Sequence, residues 1–208
     1  MIRNSMERRR MEERLESCGR TTAAGNSSSH QSSASQVSNS SENSSFRLSF
    51  TPSKNRIVPA MVAAGMKTEQ DKASFISFAE KGIDAVEAKL REGNRPIYNI
   101  PEISTMLVRN AFLVCCGEEF TERQRAGVLA LFVDYYSHDD SFQKLSGQDL
   151  QKLYEADAIT MILMANEYDE KTKTFSEKAK QLARKAAEVN LGSPIEKFKL
   201  TPDGIDFK

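Results

Sequence analysis

Lys178, Lys180, Arg184 and Lys185 carry the clearest chemistry in this sequence. Read as one helix, their spacing sets Lys180 and Arg184 on a common face with Lys178 and Lys185 beside it, and Lys171, Lys173, Lys197 and Lys199 prolong the run. Such a stripe can track phosphates. Arg109, Arg123 and Arg125 are further nucleic-acid candidates, because a guanidinium fork fits phosphate oxygens. A second constellation is apolar: Phe46, Leu48 and Phe50 alternate around Arg47 at the end of a tract, Asn26 to Ser53, with 13 serines in 28 residues. An alternating triplet in an unfolded arm suits strand addition or docking on a neighbouring copy. The serines are candidate phosphoacceptors, and phosphate would reverse the sign of a basic arm.

Enzymatic patterns are thin. Asp134 and His138 stand four apart with Asp139 and Asp140 following, but a zinc site would need a further His or Cys ligand. Cys115 and Cys116 sit in an apolar stretch, where free cysteine behaves as a small hydrophobe, and neither His30 nor His138 is close in sequence to serve as a base. With Cys18 remote, the three cysteines form no disulfide or zinc framework. Glycine-rich phosphate loops, HExxH, GxSxG and an EF-hand loop are missing from the sequence. The expectation is a non-enzymatic protein without cofactor or metal.

The formal net charge is zero, from 29 basic and 29 acidic residues. Divided by segment it is +4 over residues 1–56, −8 over 57–170 and +4 over 171–208. This excludes a uniformly basic nucleic-acid coat and a uniformly acidic tail. An acidic middle between basic ends can attract copies of itself or leave its ends for a polyanion. No run reaches the roughly 18 apolar residues of a membrane span, and the N-terminus lacks the apolar core of a signal peptide. A cytoplasmic location without membrane contact is expected, the host cytoplasm or virion if the source is viral.

These residues need elements to place them, and the periodicity is helical. Residues 1–56 read as a disordered, serine-rich basic arm, with a thin amphipathic pattern over Met1–Cys18. Residues 57–67 read as an apolar connection, 68–192 as the helical core and 193–208 as a C-terminal arm or hairpin around Pro202, Asp203 and Gly204. Five helices are expected in the core. The first runs from Thr68 to Gly93, and the second opens at Pro101 and stops at Gly117. The third opens on a Thr121/Gln124 capping box and, being apolar nearly all round, should be central. The fourth starts at Ser146, with Leu150, Leu153, Ile159, Ile162 and Leu163 inside. The fifth starts at Ser176, with Ala179, Leu182, Ala183, Ala186 and Val189 inside. The fold class is all-α.

No family motif matches residue by residue. The plan of a helical core flanked by arms is similar to that of α-helical viral coat and nucleocapsid proteins, and that likeness of architecture implies subunit-linking arms but transfers no binding residue. The expected function is a self-associating, RNA-binding structural protein of capsid or nucleocapsid type, a homo-oligomer whose Phe46, Leu48 and Phe50 dock on a neighbour. The alternative is a regulatory adaptor or transcription or polymerase cofactor, with a phosphorylatable arm that recruits a protein partner and a protein-binding helical domain.

Overall fold

The computed structural model describes residues 48–208, and the Met1–Cys18 pattern, Cys18, His30, Phe46 and most of the serine tract lie outside them. Six α-helices follow in order: α1 (Val58–Ala63), α2 (Glu69–Glu92), α3 (Ile100–Cys116), α4 (Glu122–His138), α5 (Gly147–Ala165) and α6 (Glu177–Leu191). Two small antiparallel hairpins complete the fold, β1 (Tyr168–Asp169) with β2 (Thr174–Phe175), and β3 (Phe198–Thr201) with β4 (Gly204–Phe207). The chain is therefore an all-α bundle with a C-terminal hairpin. The hairpin between α5 and α6 is absent from the sequence reading, which has no strand there.

Local chemistry starts and stops the helices where the sequence indicates. Thr68, Thr121, Ser146 and Ser176 each accept a hydrogen bond from the backbone amide three residues on, and Thr121 with Gln124 closes a full capping box. Asn99 does the same for α3 ahead of Pro101 in its first turn. Gly117 and Gly192 end α3 and α6 in left-handed conformation.

The arrangement of the core differs from expectation in three ways. First, α3 and not α4 is central: it packs against α4, α5 and α6 and buries residues on every side, from Ile100 to Val114. Helix α4 buries Val128 and Phe132, while Leu129, Leu131, Val133 and Tyr135 stay half-buried at the periphery. Second, the ordered domain begins before Thr68. Residues 48–57 form a strap along the bundle, and within the expected connection of 57–67 lies α1, which buries Pro59 and Ala63. Third, α5 keeps only part of its expected face: Leu150 and Ile159 are buried and Ile162 packs on the core, but Gln151, Tyr154, Glu155, Ala158 and Met161 also face inward, and Leu153 and Leu163 stay outside.

The C-terminal hairpin lies on α4. Gly127 makes this possible, because a Cβ there would overlap the Asp203 carbonyl. No helix among the described residues is long and apolar enough to cross a membrane.

Candidate functional site

Four helices each bring one polar side chain to a common junction. The Ser104 hydroxyl (α3) lies 3.1 Å from the Tyr136 hydroxyl (α4) and donates to Asp157 Oδ2 (α5) at 3.2 Å, and the Asn190 side chain (α6), whose Nδ2 donates to the Ala186 carbonyl at 3.1 Å, stands beside the same carboxyl. Burial pushes the Asp157 carboxyl up to about 7, against the opposing pull of Ser104 and Asn190. Burial likewise pushes the Tyr136 phenol up, and the charge of Asp157 adds to it. The junction can hold or release one proton near neutral pH. Ser104 is fully buried, so its hydroxyl orients the carboxyl instead of meeting a ligand.

The basic stripe is where the sequence puts it, on the outer face of α6, but acidic neighbours hold most of it. Lys178 pairs with Glu167 at 2.7 Å, Lys180 with Glu177 at 2.8 Å and Arg184 with Glu196 at 2.8 Å, while Lys185 is exposed. The three arginines proposed alongside it are scattered. Arg123 pairs with Asp203 of the hairpin turn. Arg125 reaches Glu102 at 3.1 Å and Glu122 at 2.9 Å, and Arg95 reaches Glu122 at 2.8 Å. Burial pushes the Glu102 carboxyl up while Arg125 and Arg95 pull it back. Arg125 therefore belongs to a structural ion cluster at the start of α3 and α4. Arg109 is half-buried on α3.

The thiol and histidine candidates do not converge. Burial pushes the Cys115 thiol up to about 11, which keeps it protonated and a poor nucleophile. His138 Nδ1 lies 3.2 Å from Asp134 Oδ1 at the exposed end of α4, and no group of three metal-ligating side chains occurs among the described residues. A groove of about 690 Å³ runs beside the C-terminus of α3, with Leu113, Cys115, Tyr168 and Phe175 in its lining and Lys173 and Lys180 at its rim. Both lysines are paired, with Glu170 and Glu177.

Of the apolar triplet, Leu48 and Phe50 serve their own domain. Leu48 is completely buried, and the Phe50 ring packs between Tyr98 and Tyr154, at 5.6 Å from each. The family model for a family of unknown function, DUF6683, matches residues 3–208 and so takes in both the strap and the bundle. The chain belongs to DUF6683. No curated protein and no solved structure matches it.

This DUF6683 chain also leaves apolar side chains on its surface that its sequence pattern assigns to the core. Val189 is 76 % exposed, Leu153 43 % and Leu163 37 %. The short β1/β2 hairpin joins α5 to α6, so Leu153, twelve residues before the end of α5, stands at about the level of Val189, twelve residues after the start of α6. Sequence reasoning missed Asp157, Gln151 and Glu155 altogether. Asp157 has a signal, a polar residue one turn after Leu153 and two after Leu150 on the expected inward face, whereas Gln151 and Glu155 lie off that face and have none.

Proposed function

We propose that this DUF6683 protein is a non-enzymatic, self-associating structural protein whose bundle meets copies of itself through the α5/α6 surface. The observation that carries the reading is the outward placement of Leu153, Leu163 and Val189. Leu153 and Val189 at one end of the helix pair and Leu163 near the other are large apolar side chains that gain from burial against a partner. The partner is a second copy, since the charge order of basic end, acidic middle and basic end is complementary to itself. Sedimentation velocity over a concentration series tests this. The wild-type chain, 23.3 kDa, is expected to sediment faster as concentration rises, and Leu153→Asp with Val189→Asp to remain a single chain. A wild-type chain that stays single at every concentration removes the reading, and a double variant that associates like wild type removes this face from it.

RNA binding is the second reading, and the exposed cations of α6 favour it. Surface ion pairs such as those of Lys178, Lys180 and Arg184 contribute about 0–1 kcal/mol, so a phosphate backbone can exchange for their acidic partners. Replacing Lys178, Lys180, Arg184 and Lys185 by Gln should weaken binding to single-stranded RNA and flatten its salt dependence. Unchanged affinity and slope would set RNA aside.

A further inference from the structure

The strap is read by the bundle much as a bound peptide is read by a receptor. Its first residues add to the extended chain ahead of α3: Ile100 N donates to the Leu48 carbonyl and Phe50 N to the Tyr98 carbonyl, each at 3.1 Å. Next, Gln151 takes both polarities of the backbone, accepting from Ser53 N at 2.7 Å and donating to the Asn55 carbonyl at 3.0 Å. Arg56 then reaches Glu87 at 2.7 Å. At the start of α1, where Ile57 provides no side-chain cap, Glu155 Oε2 accepts from the amides of Ile57 and Val58, both at 2.8 Å. One carboxylate from α5 thus caps a helix elsewhere in the chain.

The receiving groups make the groove specific for this strap. Glu155, Gln151 and Glu87 are all nearly or fully buried, and Tyr154 is fully buried beside them. Under the strap these carboxylates need partners, and it supplies amides to Glu155 and a guanidinium to Glu87, beside the Gln151 amide and the Arg91 guanidinium that the bundle itself provides. Whatever displaces the strap must return two consecutive amides, a cation one residue earlier, and an aromatic ring six residues before the cation. An identical strap does so. The strap and α1 also hang on a short link, Ala64 to Thr68, that is mostly exposed and contains Gly65, and α1 itself buries Pro59 and Ala63.

We infer that the segment Leu48–Ala63 exchanges between two copies of the chain, each lodging its strap in the other's groove. The inference rests on the self-association proposed above and gives it a geometry. Every contact in the closed chain recurs in the exchanged dimer, so the balance is set by the link and by concentration.

The test uses the full chain with a photoreactive benzoylphenylalanine at position 50, prepared unlabelled and ¹⁵N-labelled, mixed in equal parts, unfolded, refolded together and irradiated. In the dimer fraction, half of the cross-links from position 50 to peptides containing Tyr98 or Tyr154 should join a light chain to a heavy one. A dimer whose cross-links all stay within one label overturns the exchange and leaves self-association standing. Absence of any dimer removes both. A second variant needs no unnatural residue: Gly65→Pro with Met66→Pro deletes the two amide hydrogen bonds that close the link, to the carbonyls of Val62 and Ala63. Each of two closed chains loses both bonds while the exchanged dimer does without them, so the dimerisation constant should rise at least about tenfold. A folded variant with unchanged dimer fraction contradicts the exchange.

Discussion

Asp157→Asn should stabilise the protein more at pH 8 than at pH 5. The carboxyl is held up at about 7 against an ordinary 3.8, so between these values the unfolded chain has lost a proton that the folded chain keeps. The folded state then binds more protons, and stability falls as pH rises from about 4 to about 7 and levels off above. At about 1.4 kcal/mol per tenfold change in proton affinity, the whole difference amounts to about 4 kcal/mol. Asp157 is half-buried, so water still reaches part of it and about 2–4 kcal/mol is expected. Asparagine keeps the acceptor that Ser104 uses but carries no charge. Urea unfolding followed by far-ultraviolet circular dichroism at pH 5 and pH 8, for wild type and variant, isolates the effect. The variant's advantage should appear at pH 8 and shrink by about 2 kcal/mol or more at pH 5. An equal difference at both pH values would show that the junction does not hold a proton and would refute the reasoning.

Glu155→Ala leaves the amides of Ile57 and Val58 without their acceptor, so these amides should lose protection in hydrogen exchange and global stability should fall by about 1–3 kcal/mol. Glu102→Gln removes a carboxylate whose burial outweighs the pull of Arg125 and Arg95, and both arginines keep Glu122, so urea unfolding at pH 7 should show little or no loss of stability; a loss of about 3 kcal/mol or more would contradict this. Gly127→Val forces the Asp203 turn off α4, with an expected loss of about 1–3 kcal/mol and chemical-shift changes concentrated in residues 198–207.

Helix boundaries were legible because their determinants are local. Thr68, Thr121, Ser146 and Ser176 cap amides three residues away, and Gly117 and Gly192 need no neighbour to favour a left-handed turn. The order of the helices in space was less so. Helix α4 is apolar around its circumference, yet α3 holds the centre because it carries small or apolar side chains toward three neighbours at once. Leu150 and Ile159 on α5 were legible, but the rest of its inner face was not, for a definite reason: Gln151 and Glu155 turn inward to bind the strap, whose amides lie 97 and 98 residues earlier, and no local period encodes such a partner. The basic face of α6 could be located from spacing alone. Its pairing with Glu167 and Glu196 could not, since these acids arrive from the loop before β1 and the turn after α6.

The distance along the chain between the strap and its groove also has a consequence for synthesis. On a ribosome the strap is made 98 residues before Gln151, and at about 5–20 residues per second that interval lasts on the order of 5–20 seconds. During it the strap has no groove of its own, whereas a completed neighbour made on the same messenger can offer one if its own strap is open. Nascent chains translated in close file thus meet the conditions for pairing before either has closed on itself, and the spacing of ribosomes becomes a variable in how many exchanged dimers a cell makes.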